Sequence, residues 1–371
     1  MTTHIGPNYG TGAGSSLRVC VYWCGGSGYL AAGIRRLQQD PELQVGLRLQ
    51  LDARGYDNSI FHGIDGCELF SVDDWATVER QVESVCALLP QVVVISGWML
   101  PAYERLLAEP RLSHAKFIMA LDNPWTGSWK QRISRFRRRS FLRRVSMVVT
   151  GGERSRWFAE SLGIPSSRIR VGAYCCDYDA FAPAMEHRLA LPRWPRKFLF
   201  VGRMDPVKGI DELLEGYRMY RATAESPWTL SMCGLGPLDG RARGAVGVDP
   251  LGFVQPKNLP SVMADHGAFI IASRKEPWGV AIAEACAAGL PIACSDQCGA
   301  GIDLVRDWSN GFIFPAWSAA GVRDAMLGIH ANEARLSDMG KLSQKLAVPY
   351  SAAHWARRWG RYLREVVGLP C

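Results

Sequence analysis

Two successive sets of short apolar runs, most of them followed by a stretch of helical spacing, constrain this chain more than any other feature. The first set falls at 17–23, 45–51, 92–96, 117–121, 147–150 and 168–172. The second falls at 198–201, 229–233, 247–251, 269–272, 291–295 and 311–314. Apolar runs this short read as strands covered on both faces. Strands alternating with helical segments form parallel sheets with helices on both sides, here twice over. Between the sets, 174–196 carries Pro183, Pro192 and Pro195, which favours a boundary. The expected organisation is a disordered tail over 1–16, an N-terminal domain over 17–180, a linker over 181–196, a second domain over 197–350 and a closing helix over 351–371. In that last segment Trp355, Trp359, Tyr362 and Val366 form a stripe that has to cover an apolar surface.

With 371 residues the chain is long enough for two domains. Its 48% hydrophobic and 21% charged content is that of a globular protein. No apolar run approaches the ~20 residues that span a bilayer, and 1–16 lacks the basic and apolar regions of a signal peptide. A cytoplasmic location is expected. The 11 cysteines are odd in number. Neither Cys20/Cys24 nor Cys294/Cys298 is joined to a second pair at zinc spacing, so they read as reduced core residues.

The net charge of +8 is concentrated at 130–144, Lys-Gln-Arg-Ile-Ser-Arg-Phe-Arg-Arg-Arg-Ser-Phe-Leu-Arg-Arg. Ile133, Phe136, Phe141 and Val145 fall near one face of a single helix, with arginines over the rest. Such a helix suits the surface of an anionic membrane; a solvated helix face over the core is the other reading. No nucleic-acid-binding signature lies beside it, so nucleic acid is not expected as a partner.

The richest stretch is 276–284, Glu-Pro-Trp-Gly-Val-Ala-Ile-Ala-Glu. Pro277 and Gly279 let the backbone turn at the mouth of a helix. The N–H groups of Trp278, Gly279 and Val280 are then unpaired donors at a helix start and favour an anion. Glu276 lies in the loop and Glu284 one to two turns inside the helix. A carboxylate, an anion nest and a second carboxylate suit the sugar hydroxyls, diphosphate and ribose of a nucleotide-sugar. Upstream, 197–209 reads Lys-Phe-Leu-Phe-Val-Gly-Arg-Met-Asp-Pro-Val-Lys-Gly. A strand ending at Gly202 and a helix from Ile210 put Arg203 and Lys208 at the carboxyl edge of a sheet, where ligands bind. Two cations there can neutralise a departing diphosphate.

The order of these motifs, together with Cys-Gly-Leu-Gly-Pro-Leu (233–238), Leu-Gly-Phe-Val (251–254), Ala-Ala-Gly-Leu-Pro-Ile (287–292) and Asn-Gly-Phe-Ile-Phe (310–314), resembles glycosyltransferase family 4 over about 197–330. These are retaining enzymes of the GT-B fold, with two Rossmann-like domains facing across a cleft and a C-terminal helix crossing back to the N-terminal domain. The resemblance implies that Arg203 and Lys208 hold the donor diphosphate and that Glu276 contacts the donor sugar with the backbone at Trp278, Gly279 and Val280. It implies that Glu284 binds the ribose, and that Phe253 and Val254 lie beside the base, with Gly202 and Gly234 in the same donor site. The family usually has Phe where Trp278 stands, and often paired glycines where this chain has Cys298-Gly299-Ala300-Gly301.

In the first half, Gly25-Gly26-Ser27-Gly28 follows a strand and opens a helix, so Gly26 can let a phosphate approach the backbone; a simple tight turn is the alternative. Asp122 ends another strand before Asn123-Pro124, placed either to orient an acceptor hydroxyl or donor sugar or to cap a turn. His62 and His114 carry no motif and read as surface residues. The expected activity is sugar transfer from a nucleoside-diphosphate sugar to a saccharide or glycolipid acceptor. No metal or other cofactor is expected, since Arg203 and Lys208 supply the positive charge. An epimerase of the same fold and a non-catalytic binding protein remain as alternatives.

Overall fold

The computed structural model describes residues 16–51, 57–70 and 77–370; the expected tail lies outside them apart from Ser16. Two all-parallel sheets account for the two sets of apolar runs. The first comprises β1 (Leu17–Cys24), β2 (Leu43–Gln50), β3 (Cys67–Phe70), β4 (Val92–Ser96), β5 (Lys116–Leu121), β6 (Val145–Thr150) and β7 (Ile169–Val171), in the order β3-β2-β1-β4-β5-β6-β7. The second comprises β8 (Lys197–Val201), β9 (Thr229–Cys233), β10 (Val248–Gly252), β11 (Ala268–Ile271), β12 (Ile292–Ser295) and β13 (Gly311–Phe314), in the order β10-β9-β8-β11-β12-β13. In each sheet the direction of winding reverses beside the first strand, between β1 and β4 and between β8 and β11. That reversal opens a crevice beyond the strand ends, the usual place for a ligand.

The sheets are buried on both faces. Val19 and Val21 of β1 point into one apolar layer and Cys20 and Tyr22 into the other, as alternate side chains must. The closing helix, Ala352–Val366, completes the first layer, although it lies at the far end of the chain. Its rings are buried while their polar edges meet carbonyls just after or at the end of β7. Trp355 Nε1 donates to Ala173 O (2.9 Å), Trp359 Nε1 to Gly172 O (3.2 Å) and Tyr362 Oη to Val171 O (3.1 Å). Val366, the last residue of the expected stripe, packs at the rim. The chain therefore crosses between domains twice, side by side. Cys176 N–H donates to Tyr350 O (2.8 Å), and Cys176 O accepts from Ala352 N–H (3.0 Å).

Two expectations need correction, and one strand was missed. The stretch 181–196 is not an open linker, because it contains the helix Pro183–Ala190, whose Ala184 sits in the second core. Pro183 starts this helix rather than breaking it, since a first-turn residue has no N–H bond to lose. Buried Arg188 donates to Gly289 O (3.0 Å) and to Ala288 O. The basic segment is two helices, Trp129–Arg137 and Arg139–Arg144, separated at Arg138 (φ −102°, ψ 10°). Phe141 and Val145 are buried, the latter as the first residue of β6, while Phe136 is 74% exposed. One continuous apolar face therefore does not exist. Finally, β3 was not anticipated. Of the described cysteines eight are buried and none of these is in a disulfide, whereas Cys24 is exposed.

Candidate active site

The second domain builds one wall of the crevice from three strand ends. After β8 the chain turns through Gly202 and Arg203 into a short turn where Lys208 N–H donates to Asp205 Oδ1 (3.2 Å). The helix Ile210–Thr223 follows. Lys208 Nζ is directed at the Glu276 carboxylate, forming an ion pair that also accepts from Ser273 Oγ (3.3 Å). Glu276 is buried. Arg203 is not part of this pair. It reaches Asp205 (2.6 Å), its side chain 66% exposed.

From Glu276 the backbone turns at Gly279, whose φ of 98° is a conformation an L side chain rarely adopts, and enters the helix Val280–Ala287. Among the described residues, the N–H groups of Trp278, Gly279 and Val280 meet no backbone or side-chain acceptor. The loop's carbonyls are in use. Gly299 N–H donates to Glu276 O (3.2 Å) and Ala300 N–H to Trp278 O (2.6 Å). The start of the helix Gly299–Leu304 thus braces the loop and has those donors occupied. The carboxylate of Glu284, one turn into its helix, has no hydrogen-bond or ion-pair partner among the described residues. Burial, with a smaller push from the Asp177 carboxylate, raises its carboxyl to about 7.

On the other side of β8, Gly202 and Gly234 touch backbone to backbone. At Gly234 φ is 138°, and a Cβ there would overlap the Gly202 carbonyl. Gly234 N–H donates to Gly252 O (2.7 Å). These glycines make a floor without side chains, beyond which stand Phe253, 38% exposed, and half-buried Val254.

The first domain contributes the opposite wall. The ends of β1, β4 and β5, with Ala173 and Tyr174, enclose a cavity of about 320 Å³. Gly26 lies in its rim, where a Cβ would press on the Phe61 ring at 3.0 Å. Asp122 also lines it and accepts a hydrogen bond from Tyr174 Oη (2.7 Å). His62 and His114 are exposed and do not line it. Sequence reasoning did not single out Tyr174 or Trp98, both lining residues. Neither belongs to a motif, and only the topology brings them to the strand ends.

The walls touch. Trp278, anticipated for its backbone, buries its indole at this contact. The ring stacks on Tyr174 (centroids 5.6 Å apart, planes 22° apart) and Nε1 donates to Asp303 Oδ2 (3.2 Å). Gly152 of the first domain lies so close that a Cβ would meet Asp303 Oδ2 at 2.6 Å. Asp57 N–H donates to Oε1 (3.1 Å) of Gln255, next in the chain after Phe253 and Val254. Among the described residues no three His, Cys, Asp or Glu side chains cluster as a metal ion would require. No helix there is long and apolar enough to cross a membrane.

Residues 184–346 match the model of a family described as glycosyl transferases group 1. The chain is 28% identical over 148 residues to O-antigen chain mannosyltransferase B of Escherichia coli, covering 36% of this chain and 38% of that one. It is 26% identical over 215 residues to D-rhamnosyltransferase WbpZ of Pseudomonas aeruginosa, covering 54% of each. The matches thus span less than two thirds of these relatives. Among solved structures, HepE of Anabaena in complex with UDP and glucose superposes with a TM-score of 0.72 at 16% identity, over 94% of this chain and 99% of that one. Sucrose-phosphate synthase of Thermosynechococcus elongatus superposes with a TM-score of 0.71 at 15% identity, over 95% and 99%. These likenesses, with the two parallel-sheet halves, show that the chain has the GT-B fold.

Proposed function

We propose that this chain transfers a hexosyl unit from a nucleoside-diphosphate sugar to a saccharide or glycolipid acceptor, with retention at the anomeric carbon, as a glycosyltransferase of family 4 type. The observation that carries this reading is the pair of Lys208 with buried Glu276 beside the open N–H groups of Trp278, Gly279 and Val280, with Trp278 stacked on Tyr174, a lining residue of the Asp122 cavity. The N–H groups, Lys208 and exposed Arg203 would take up the charge that develops on the departing diphosphate. One well-aimed donor of this kind contributes about 2.7–4 kcal/mol to lowering the barrier. Glu276 would hold sugar hydroxyls, unpartnered Glu284 the ribose, and Phe253 and Val254 the base. Asp122 would orient the acceptor hydroxyl. With this cationic set no metal or other cofactor is required. The transferase names of the curated relatives and the UDP and glucose bound to HepE support the donor class.

For the acceptor side we place a cytoplasmic, peripheral association with an anionic membrane through 129–139. The helix Trp129–Arg137 buries no residue, and it exposes Trp129, Ile133 and Phe136 between its cations.

A thermal-shift panel of nucleoside diphosphates and their sugars tests the reading. A ligand at a hundred times its dissociation constant adds about 2.7 kcal/mol of stability. A chain whose melting temperature no member of the panel moves, and which consumes none of the sugars, does not have this function.

A further inference from the structure

Asp122 and the 276–280 loop belong to different domains, and one side chain touches both. Tyr174 donates its hydroxyl to Asp122 Oδ2 (2.7 Å) and stacks its ring on Trp278 (5.6 Å). The edge of Tyr29 packs against it (5.4 Å, 80°). Tyr174 lies just before Cys176, where the chain passes between domains, so its backbone sits at the pivot of any closure. Burial raises its phenol well above the usual range, which keeps it protonated and a donor. Among the described residues the other carboxylate oxygen, Asp122 Oδ1, has no protein partner. A carboxylate facing a cavity rotates about its terminal torsion unless one oxygen is held. The hydroxyl of Tyr174 holds it.

We propose that Tyr174 is a positioning residue for the transfer step. It fixes one Asp122 oxygen so that the other faces the acceptor hydroxyl, while Tyr29 and Trp278 hold its ring from the two domains. This rests on the transferase reading above.

Tyr174→Phe keeps the stack and removes the hydroxyl. Its kcat for transfer should fall about tenfold, the worth of one hydrogen bond, while the donor KM and the nucleotide-induced melting shift stay at wild-type values. The loss should vanish in an Asp122→Asn background, because the hydroxyl acts through that carboxylate. Tyr174→Leu, which also removes the stack, should raise the donor KM as well. A Tyr174→Phe enzyme with wild-type kcat, or a double variant a further tenfold slower than Asp122→Asn alone, overturns the role while the wild type remains an active transferase. A wild type that binds and consumes no nucleoside-diphosphate sugar overturns the transferase reading, and the role with it.

Discussion

Lys208 and Glu276 have to be tested as a pair. Glu276 is buried, so removing Lys208 strands a carboxylate where little water reaches. Deleting one partner of such a pair costs about 3–5 kcal/mol. Lys208→Ala should therefore lower the urea midpoint as well as the turnover. Lys208→Met combined with Glu276→Gln removes both charges, and should recover most of the stability while turnover stays lost. Arg203 is the contrast. Its exposed contact with Asp205 contributes little to stability, so Arg203→Ala should keep the wild-type midpoint and lose diphosphate affinity. Urea denaturation of the three variants separates the cases; a Lys208→Ala midpoint equal to wild type would show that the pair does not stabilise the fold.

Glu284 gives a pH-dependent signal. Its carboxyl is raised from an ordinary value of 4.5 to about 7. Between those values the folded state holds a proton that the unfolded state has released. The contribution to stability is thus fully present at low pH and declines as pH rises through about 7. A ribose that donates hydroxyl hydrogen bonds to this group favours its ionised form and expels the proton. Calorimetric binding enthalpy of a nucleoside-diphosphate sugar near pH 7 should therefore vary with the ionisation enthalpy of the buffer. Glu284→Gln should abolish that variation. Equal wild-type enthalpies in phosphate and Tris would remove Glu284 from the ribose site.

At the scale of elements, the helix Trp129–Arg137 is the exposed basic amphipathic unit, and the break at Arg138 changes which residues test it. Arg138 is tied to Glu104 (2.6 Å) and lies over the Trp98 ring (5.9 Å), so it is a poor probe. Arg137→Glu with Arg139→Glu should weaken co-sedimentation with anionic vesicles, each cation near the surface contributing about 1 kcal/mol. Phe136→Ser should weaken it at high salt too, because that part of the binding is not screened. Wild-type protein that stays in the supernatant at low salt would leave this helix without a membrane role. The same helix shows what a period alone conveys. Spacing identified helical turns, but it did not reveal that Phe141 faces the core while Phe136 faces water, because both fit one helical wheel. Strands with uninterrupted apolar runs, such as β4 and β11, were legible because both faces are buried. β3 was not. It is an edge strand of the sequence Cys-Glu-Leu-Phe with three of its four residues only half-buried, so it lacks that run. The residues between 276 and 284 were legible because their spacing is local. Tyr174 was not, because its importance comes from meeting Asp122 and Trp278, 52 and 104 positions away in sequence.

The whole molecule is organised by its two crossings. One chain passage leads out at Cys176 and the other returns before Ala352, hydrogen-bonded to each other, so the two crossings meet at one point between the domains. The returning helix makes the first domain depend on the end of the chain. Trp359 is buried in that domain's core and donates to Gly172 O (3.2 Å), and replacing a buried aromatic of this size by alanine costs about 3–5 kcal/mol. The damage in Trp359→Ala should fall mainly on the first domain's unfolding, since this ring belongs to that domain's apolar layer and not to the second core. A nucleoside diphosphate, if held by the 276–284 segment as proposed, should raise the melting of the second domain in both wild type and variant. Scanning calorimetry should then show one transition lowered by the substitution and the other raised by the nucleotide. Transfer should be lost at temperatures where only the first has melted, with nucleotide binding retained. A single transition displaced as a whole by both perturbations would show one cooperative unit in place of two cores joined at a pivot.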